Sequence, residues 1–499
     1  MTSNNVGRVS DSVTRHIEAE NVGLRDKAAN PIYTSNSLES LCELIIDCPH
    51  STPKWVDSGV IVLRNKNIRN GVLDLTSPSF TTEEGYQQRV KRAIPTAGDI
   101  IFTREAPMGE VCIIPSKLKC CLGQRQVLLR PKNKINGKYL FWALQSSYVQ
   151  HQISWSEGTG STVSNLRIPL LKALKIPRHF GQEDEIATIL SSISDKIALN
   201  HQINQTLEQM AQALFKSWFV DFDPVKAKIS VKDAWINLHG AIPATDSHAY
   251  ADYAQNLCTA AMSVISGKTT AQLETFATQN PEQYQSLKAT ADLFPDAMQG
   301  SELGDVPGGW EVGTIDSEFE VIMGQSPPGD TYNEEDEGVV FFQGRRDFGW
   351  RYPTERVYCT APKRMAKKGD TLLSVRAPVG DINKASFDCC IGRGLAALRH
   401  KSGCEALTYY SILELARAFV SFDSEGTVFG SINQKDLKAL KVIKAPSEII
   451  NNFSTNAENW DFKIRNISLE NQSLTQLRDT LLPKLLSGEL IINNQEVVS

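Results

Sequence analysis

The sequence predicts an α+β chain: two tandem mixed α/β domains separated by two long antiparallel coiled-coil helices. Three observations carry this. The 499 residues suit about three domains at roughly 100–200 residues each. Four short motifs recur in the same order some 270 residues apart. Two stretches without glycine, one of them also without proline, carry apolar residues at heptad spacing.

The repeat is read directly. Gly98-Asp-Ile-Ile-Phe-Thr-Arg-Glu-Ala-Pro-Met-Gly-Glu-Val111 returns as Gly369-Asp-Thr-Leu-Leu-Ser-Val-Arg-Ala-Pro-Val-Gly-Asp-Ile382. Cys120-Cys-Leu-Gly123 matches Cys389-Cys-Ile-Gly392. Ser156-Glu-Gly-Thr159 matches Ser424-Glu-Gly-Thr427, with Asn165 and Asn433 each six residues further on. Leu171-Lys-Ala-Leu-Lys175 matches Leu437-Lys-Ala-Leu-Lys441. A period this long is no solenoid, so each copy holds a complete domain.

Within each copy the first part reads as mixed β. Val60–Leu63, Asp99–Phe102 and Gln126–Leu129 are short apolar runs bounded by turn formers, as are Val339–Phe342 and Thr371–Ser374 in the second copy. A helical stretch follows, near Lys138–Gln152 and near Ala406–Val420.

Each copy then gives way to a long helix. Ile186, Ile193, Asn200, Leu207 and Leu214 occupy one heptad position, and Leu190, Ile197, Asn204, Ala211 and Trp218 the other. Pro224 is expected to end this helix. The second has Phe453, Trp460, Ile467, Leu474 and Leu481, with Ala457, Ile464, Asn471 and Leu485; Arg478 interrupts its seam, Ser447 is a candidate N-cap, and Pro483 should kink it. Asparagines in a seam fix register at a cost in stability. Each helix of about 37 residues would be roughly 55 Å long and needs a partner for its stripe; the other helix, antiparallel, is the simplest one.

The expected layout is an N-terminal extension (1–37), a first domain (38–181), a first spacer helix (182–224), an irregular, partly helical inter-repeat segment (225–304), a second domain (305–446), a second spacer helix (447–490) and a tail (491–499).

Composition excludes several classes. Hydrophobic content of 41% and charged content of 22% are ordinary for a globular protein. Ten cysteines with no CxxC suggest reduced core thiols, and the adjacent pairs read as core fillers. The polar N-terminus lacks a secretory h-region, and no apolar run approaches a membrane span, so a soluble cytoplasmic protein is expected. Ser266-Gly-Lys-Thr269 resembles the end of a P-loop, but Met262 stands where the motif needs glycine. No GxGxxG, GxSxG, HExxH or other catalytic or metal constellation is found.

Local charge points elsewhere. The chain is acidic, with 52 Lys and Arg against 57 Asp and Glu. Yet Leu38–Phe180 holds 19 basic and 11 acidic residues, the asymmetry of a polyanion-binding region. Arginine can pair with guanine edges, and asparagine or glutamine with adenine. The candidates for DNA contact in the first domain are Arg64, Lys66, Asn67, Arg69, Arg89, Lys91, Arg92, Arg104, Gln124 and Arg125. Those in the second, near-neutral domain are Gln343, Arg345, Arg346, Arg351, Arg356, Arg364, Arg376 and Arg393. Gly98-Asp99 and Pro107–Gly109 read as turns that both domains need rather than as contacts. The outer helix faces, with Lys196, His201, Gln202 and Glu208, stay available to a partner.

The ordered repeat, Asp195–His201 through Ala213–Phe219, and Leu474–Gly488 together resemble the specificity subunit of type I restriction–modification systems. So does Gly-Asp near Gly98 and Gly369, followed by Ala-Pro-x-Gly. The resemblance covers about Leu38–Pro224 and Pro307–Leu490. It implies two target recognition domains, each reading half of a bipartite DNA site. It further implies helices that act as a ruler and as a platform for two modification subunits. Those partners would bring S-adenosylmethionine and methylate adenine; restriction (translocase) subunits would add ATP- and Mg-dependent translocation and cleavage. This chain itself would bind no cofactor. A stand-alone DNA-binding regulator or scaffold, or an enzyme with an unrecognised nuclease site, are the alternatives. A neighbouring methyltransferase gene would favour the subunit, and metal-dependent nicking by the pure chain the nuclease.

Overall fold

The computed structural model describes residues 34–155, 165–376, 378–415, 419 and 430–492. The chain divides into two compact units. One takes the described residues through His201 and those from Leu469 on; the other takes Gln202–Ser468.

In the first unit, strands Cys42–Asp47, Gln126–Pro131, Ile100–Thr103 and Val111–Ile113 form an antiparallel sheet in that order. Its two faces feed different cores. Ile100, Phe102, Val127 and Leu129 join a cluster with the helices, whereas Ile101 and Leu128 face a second cluster with Leu63 and Ile68. A sheet covered on both faces needs unbroken apolar runs, which is why these strands show no polar alternation. A second sheet orders Cys120–Leu122, Val60–Leu63, Ser79–Thr81 and Trp55–Val56, with its first two strands parallel.

The second unit repeats this plan. Phe319–Met323, Leu395–His400, Thr371–Ser374 and Ile382–Lys384 form the antiparallel sheet. Leu373 and Leu398 face one cluster, Leu372 and Ala397 another. The parallel pair recurs as Val339–Phe342 with Cys389–Ile391. In both units a short ribbon closes the domain, Thr34–Ser37 with Lys175–Arg178 and Glu311–Thr314 with Lys441–Lys444.

The repeated motifs find their physical reasons here. Gly98 and Gly369 sit at φ +88° and +90°, where a β-carbon is strained. The following aspartate ties the turn to the sheet: Arg130 Nε and Nη2 donate to Asp99 at 2.8 and 2.7 Å, and Arg399 grips Asp370 at 2.8 and 2.5 Å. Cys120 and Cys121 point into different clusters, as do Cys389 and Cys390. All ten cysteines are free and buried, and burial pushes thiols such as Cys112 and Cys389 up to about 12. The Ser-Glu-Gly-Thr pair lies outside the described residues. The asparagines matched with it are not equivalent: Asn433 caps helix Gln434–Ala439, whereas the corresponding cap before Ile168–Ala173 is Arg167.

The first long helix spans Glu183–Phe219 and the second Ser447–Ser487. The first stops before Pro224, which instead opens a further helix, Asp223–His239, after a turn at Phe222 with φ +55°. The second runs through Pro483 for four more residues. In each unit the helix halves pair antiparallel. In the first unit Asn200 meets Asn471 while Ile186 and Leu190 pack with Leu485 and Leu486. In the second, Asn204 meets Ser468 while Phe215 and Phe219 meet Phe453 edge-on.

The heptad residues point inward. Ile186, Leu190, Asn200, Asn204, Ala211, Trp218, Phe453, Ala457, Ile464, Asn471 and Leu485 are buried. Ile193, Ile197, Leu207, Leu214, Trp460, Ile467, Leu474 and Leu481 are half-buried.

The segment expected to be irregular and partly helical is helical over most of its length. Asp223–His239 is followed by His248–Ser266, Thr270–Gln279 and Pro281–Asp292, then by a hairpin of Met298–Ser301 with Gly304–Pro307. Ser247 and Thr269 cap two of these helices, Pro281 starts a third, and Gly240 and Gly267 end two in the left-handed region. Their shared core mixes small Cys258, Ala261 and Ala291 with Met262 and Leu273, so no continuous leucine stripe marks it. Lys228 Nζ donates to Phe294 O at 2.6 Å and anchors the bundle within the second unit.

Candidate nucleic-acid interface

In each unit the parallel strand pair ends in two loops held side by side. Gly123 N donates to Leu63 O at 2.7 Å, and Gly392 N to Phe342 O at 2.8 Å. A β-carbon on Gly123 would collide with the Leu63 carbonyl oxygen, and one on Gly392 would press on Gln343. The Cys-Cys-x-Gly repeat is thereby explained: only glycine lets the strand ends close this tightly.

What these paired loops carry is exposed and cationic. In the first unit Arg64, Lys66, Gln124 and Arg125 are exposed. The Arg64 guanidinium lies 5.1 Å from the ring centre of Trp55, itself 43% exposed. Arg125 takes a left-handed conformation at φ +66° and pairs with Glu105 at 3.0 Å. Asn65 Nδ2 donates to the Glu105 carbonyl, so Glu105, just past strand Ile100–Thr103, links the two loops. Arg92, also exposed, lies near the same edge through a bond to Asp47 O at 3.3 Å. Arg69, in the hairpin Ile68–Arg69 with Val72–Leu73, and Lys91 are exposed as well.

The second unit presents the equivalent set. Gln343, Arg345, Arg346 and Arg393 are exposed on the two loops. Arg364 O accepts from Ile391 N at 2.9 Å, so Arg364 lies at the same strand ends. Arg376 is exposed and bridges Ser431. Arg345 pairs with Asp381, and Trp350 stands 47% exposed further along this connection. Cations and planar amides beside an exposed aromatic suit a duplex: the cations neutralise phosphate, while arginine and glutamine can reach base edges.

Five candidates belong to the fold instead. Arg89 is buried and gives its three nitrogens to the carbonyls of Leu122, Ser51 and Pro49. Arg104 is buried against Asp47, Leu166 O and Asn165. Asn67 is buried, closing its own turn by accepting from Arg64 N and donating to Asp74 O. Arg356 is held by Asp347 at 2.8 Å and Glu334 at 3.3 Å, and its hydrogen bond to Asp347 raises its pKa. Arg351 is 1% exposed within an ion cluster with Glu208, Asp461 and Tyr410. Composition alone cannot separate such arginines from surface ones, because burial is decided by distant chain.

Of the outward helix residues, Glu208 is consequently occupied, and Lys196 pairs with Glu470 at 3.4 Å. Among the described residues no three candidate ligands gather for a metal, and no helix is long and apolar enough to cross a membrane.

A family profile described as the type I restriction modification DNA specificity domain matches residues 36–209. The MjaX type I restriction enzyme specificity subunit of Methanocaldococcus jannaschii is 27% identical over 442 residues, 87% of each chain. The HindI specificity subunit of Haemophilus influenzae is 28% identical over 81% of this chain and 88% of its own. Both alignments run through the two copies of the repeat. Over most of its length the chain is similar to type I restriction–modification specificity subunits. The MjaIX specificity subunit of M. jannaschii is 31% identical over a shorter stretch, 36% of this chain and 39% of its own. Among solved structures, the type I S subunit from M. genitalium is 16% identical over 91% of this chain and 96% of its own, with a TM-score of 0.49. A specificity subunit has a recognition rather than a catalytic role, and it assembles with DNA and with other restriction–modification subunits.

Proposed function

We propose that this specificity subunit reads a bipartite, asymmetric DNA site, one half with each unit, and directs adenine methylation or cleavage by partner subunits. Its role is sequence-specific DNA recognition. The observation that carries the finer reading is the duplicated locus: the same pair of glycine-closed loops carries Arg64, Lys66, Gln124 and Arg125 in one unit and Gln343, Arg345, Arg346 and Arg393 in the other. The scaffold is shared and the side chains differ. Two different readers in one chain give an unsymmetrical site, unlike a homodimer on a palindrome.

The long helices set the gap between the half-sites and offer their outer faces to two modification subunits. S-adenosylmethionine belongs on those subunits, and ATP and magnesium on restriction subunits. The chain alone neither methylates nor cuts, and with few phosphate contacts of its own it binds DNA weakly until its partners add theirs. The test is methylation mapping in cells that carry this chain with its modification partner. Methyladenine confined to one bipartite sequence supports the reading; labelled methyl transfer by the chain alone contradicts it.

A further inference from the structure

We infer that a buried ion cluster in the second unit seats its reading loop on the helix pair and so fixes how strictly the complex holds the gap between half-sites. The inference rests on the function proposed above and adds positioning residues to it.

Arg351 lies five residues beyond Arg346, on the same connection that presents Gln343, Arg345 and Trp350. Its side chain turns inward. Nη2 donates to Asp461 of the second helix at 2.5 Å, Nη1 pairs with Glu208 of the first helix, and the guanidinium lies 4.2 Å from the ring centre of Tyr409. Lys384, 4% exposed at the end of the neighbouring strand, adds a second tie, with Nζ 2.7 Å from Asp461 and 2.9 Å from Glu405. The backbone joins the two cations, because Lys384 N donates to Arg351 O at 2.8 Å. Burial alone would push the Lys384 ammonium down, but the Asp461 and Glu405 carboxylates outweigh it and hold its pKa above the ordinary value.

Burying ions is a poor way to gain stability, since well-packed apolar groups serve as well or better. What charge-assisted pairs supply is direction: a guanidinium between two carboxylates admits few orientations. Here the two carboxylates stand on the two long helices, so the loop's place on both is set at one point. Among the described residues the first unit shows no domain cation paired with a carboxylate on each of the two helices. Heptad register puts Ser194 opposite the place of Asp461 and Thr475 opposite that of Glu208, neither of them charged. There the domain meets its helix through apolar packing, the bond from Trp142 Nε1 to Ser191 Oγ at 3.1 Å, and polar ties at the helix start, where Arg178 pairs with Glu183 at 2.6 Å and Asn136 Nδ2 donates to Asp184 at 2.6 Å; neither tie bridges the two helices. The strut therefore acts on the second reader alone.

The assembled complex of chain and modification partner is offered two DNA pools, one with fixed half-sites and varied gap, the other with fixed gap and varied half-sites. Glu208→Leu removes one arm. Arg351→Met with Glu208→Met, Asp461→Met and Lys384→Met removes the strut without stranding a buried charge, should the single variant fold poorly. The expected result is a loss of roughly tenfold or more in discrimination against gaps one base pair too long or short, a scale typical of coupled contacts, with half-site preferences unchanged. Mere destabilisation would lower binding to all sites alike and leave the gap profile sharp. A folded variant with an unchanged gap profile overturns the inference, and so does an altered second half-site at an unchanged gap. A wild-type complex with no gap preference overturns the proposed function and this inference with it.

Discussion

Asn200 Nδ2 donates to Asn471 Oδ1 at 2.9 Å across the two long helices, and both side chains are buried. A second bond from the same nitrogen reaches Glu470 at 2.8 Å. Replacing Asn200 by leucine leaves the Asn471 amide oxygen buried without its partner, at about 1–3 kcal/mol, and replacing Asn471 costs less because Asn200 keeps its bond to Glu470. Replacing both removes the polar pair and should be near neutral or stabilising. Denaturant midpoints of the two single variants and the double variant check this. The double should recover most of what either single loses, with a coupling of about 0.5–3 kcal/mol between the sites.

Arg89 and Arg92 lie three residues apart and should behave oppositely. Arg89→Ala orphans three carbonyls that the guanidinium now satisfies, so its effect falls on stability, at about 1–3 kcal/mol or more. Arg92→Ala removes an exposed cation; stability stays within about 0.5 kcal/mol, as for most surface changes. If Arg92 contacts a phosphate, DNA binding weakens alike for all sequences and the salt slope falls by about 1. Thermal unfolding and salt-dependent binding of the two variants separate these outcomes.

His400 gives the second unit a pH response. It is 7% exposed, stacked edge-on to Phe319 at 4.9 Å between ring centres, and burial lowers its pKa below the ordinary 6.5. A depressed histidine favours the neutral form in the folded state. Its stabilising effect is complete above pH 6.5 and is lost as pH falls from there through the folded pKa. Unfolding of the second unit should therefore become easier below pH 6.5, and His400→Phe should flatten that slope. A slope in the variant equal to that of the parent contradicts the assignment.

Much of this architecture was legible in the sequence because its causes are periodic. Heptads, a long repeat, and glycines at strand ends are local signals, and Ile186, Asn200, Gly98 and Gly369 stand where those signals put them. The segment at 248–292 was legible only as partly helical, and its separate helices were not, because alanine and cysteine fill much of a core that leucine would have marked with a stripe. The candidate interface was half legible. Arg64 and Arg345 occupy loops after apolar strands, a local feature. Arg89, Arg104 and Arg351 are buried by chain tens to over a hundred residues away, and nothing in their neighbours announces Asp47 or Asp461. Equally, the pairing of the Arg64 loop with the Gln124 loop depends on a parallel strand register that spacing alone does not fix.

The central claim is that two independent readers share one scaffold, and site selection on paired variants tests it most directly. Arg64→Ala with Lys66→Ala, and separately Arg345→Ala with Arg346→Ala, are assembled with the modification partner and presented with DNA in which both half-sites vary. A lost base contact should cost about 1–3 kcal/mol at one position. The first variant is predicted to relax one half-site and leave the other intact, and the second variant to do the reverse. Relaxation of both halves by either variant, or of neither half by both, would contradict the account.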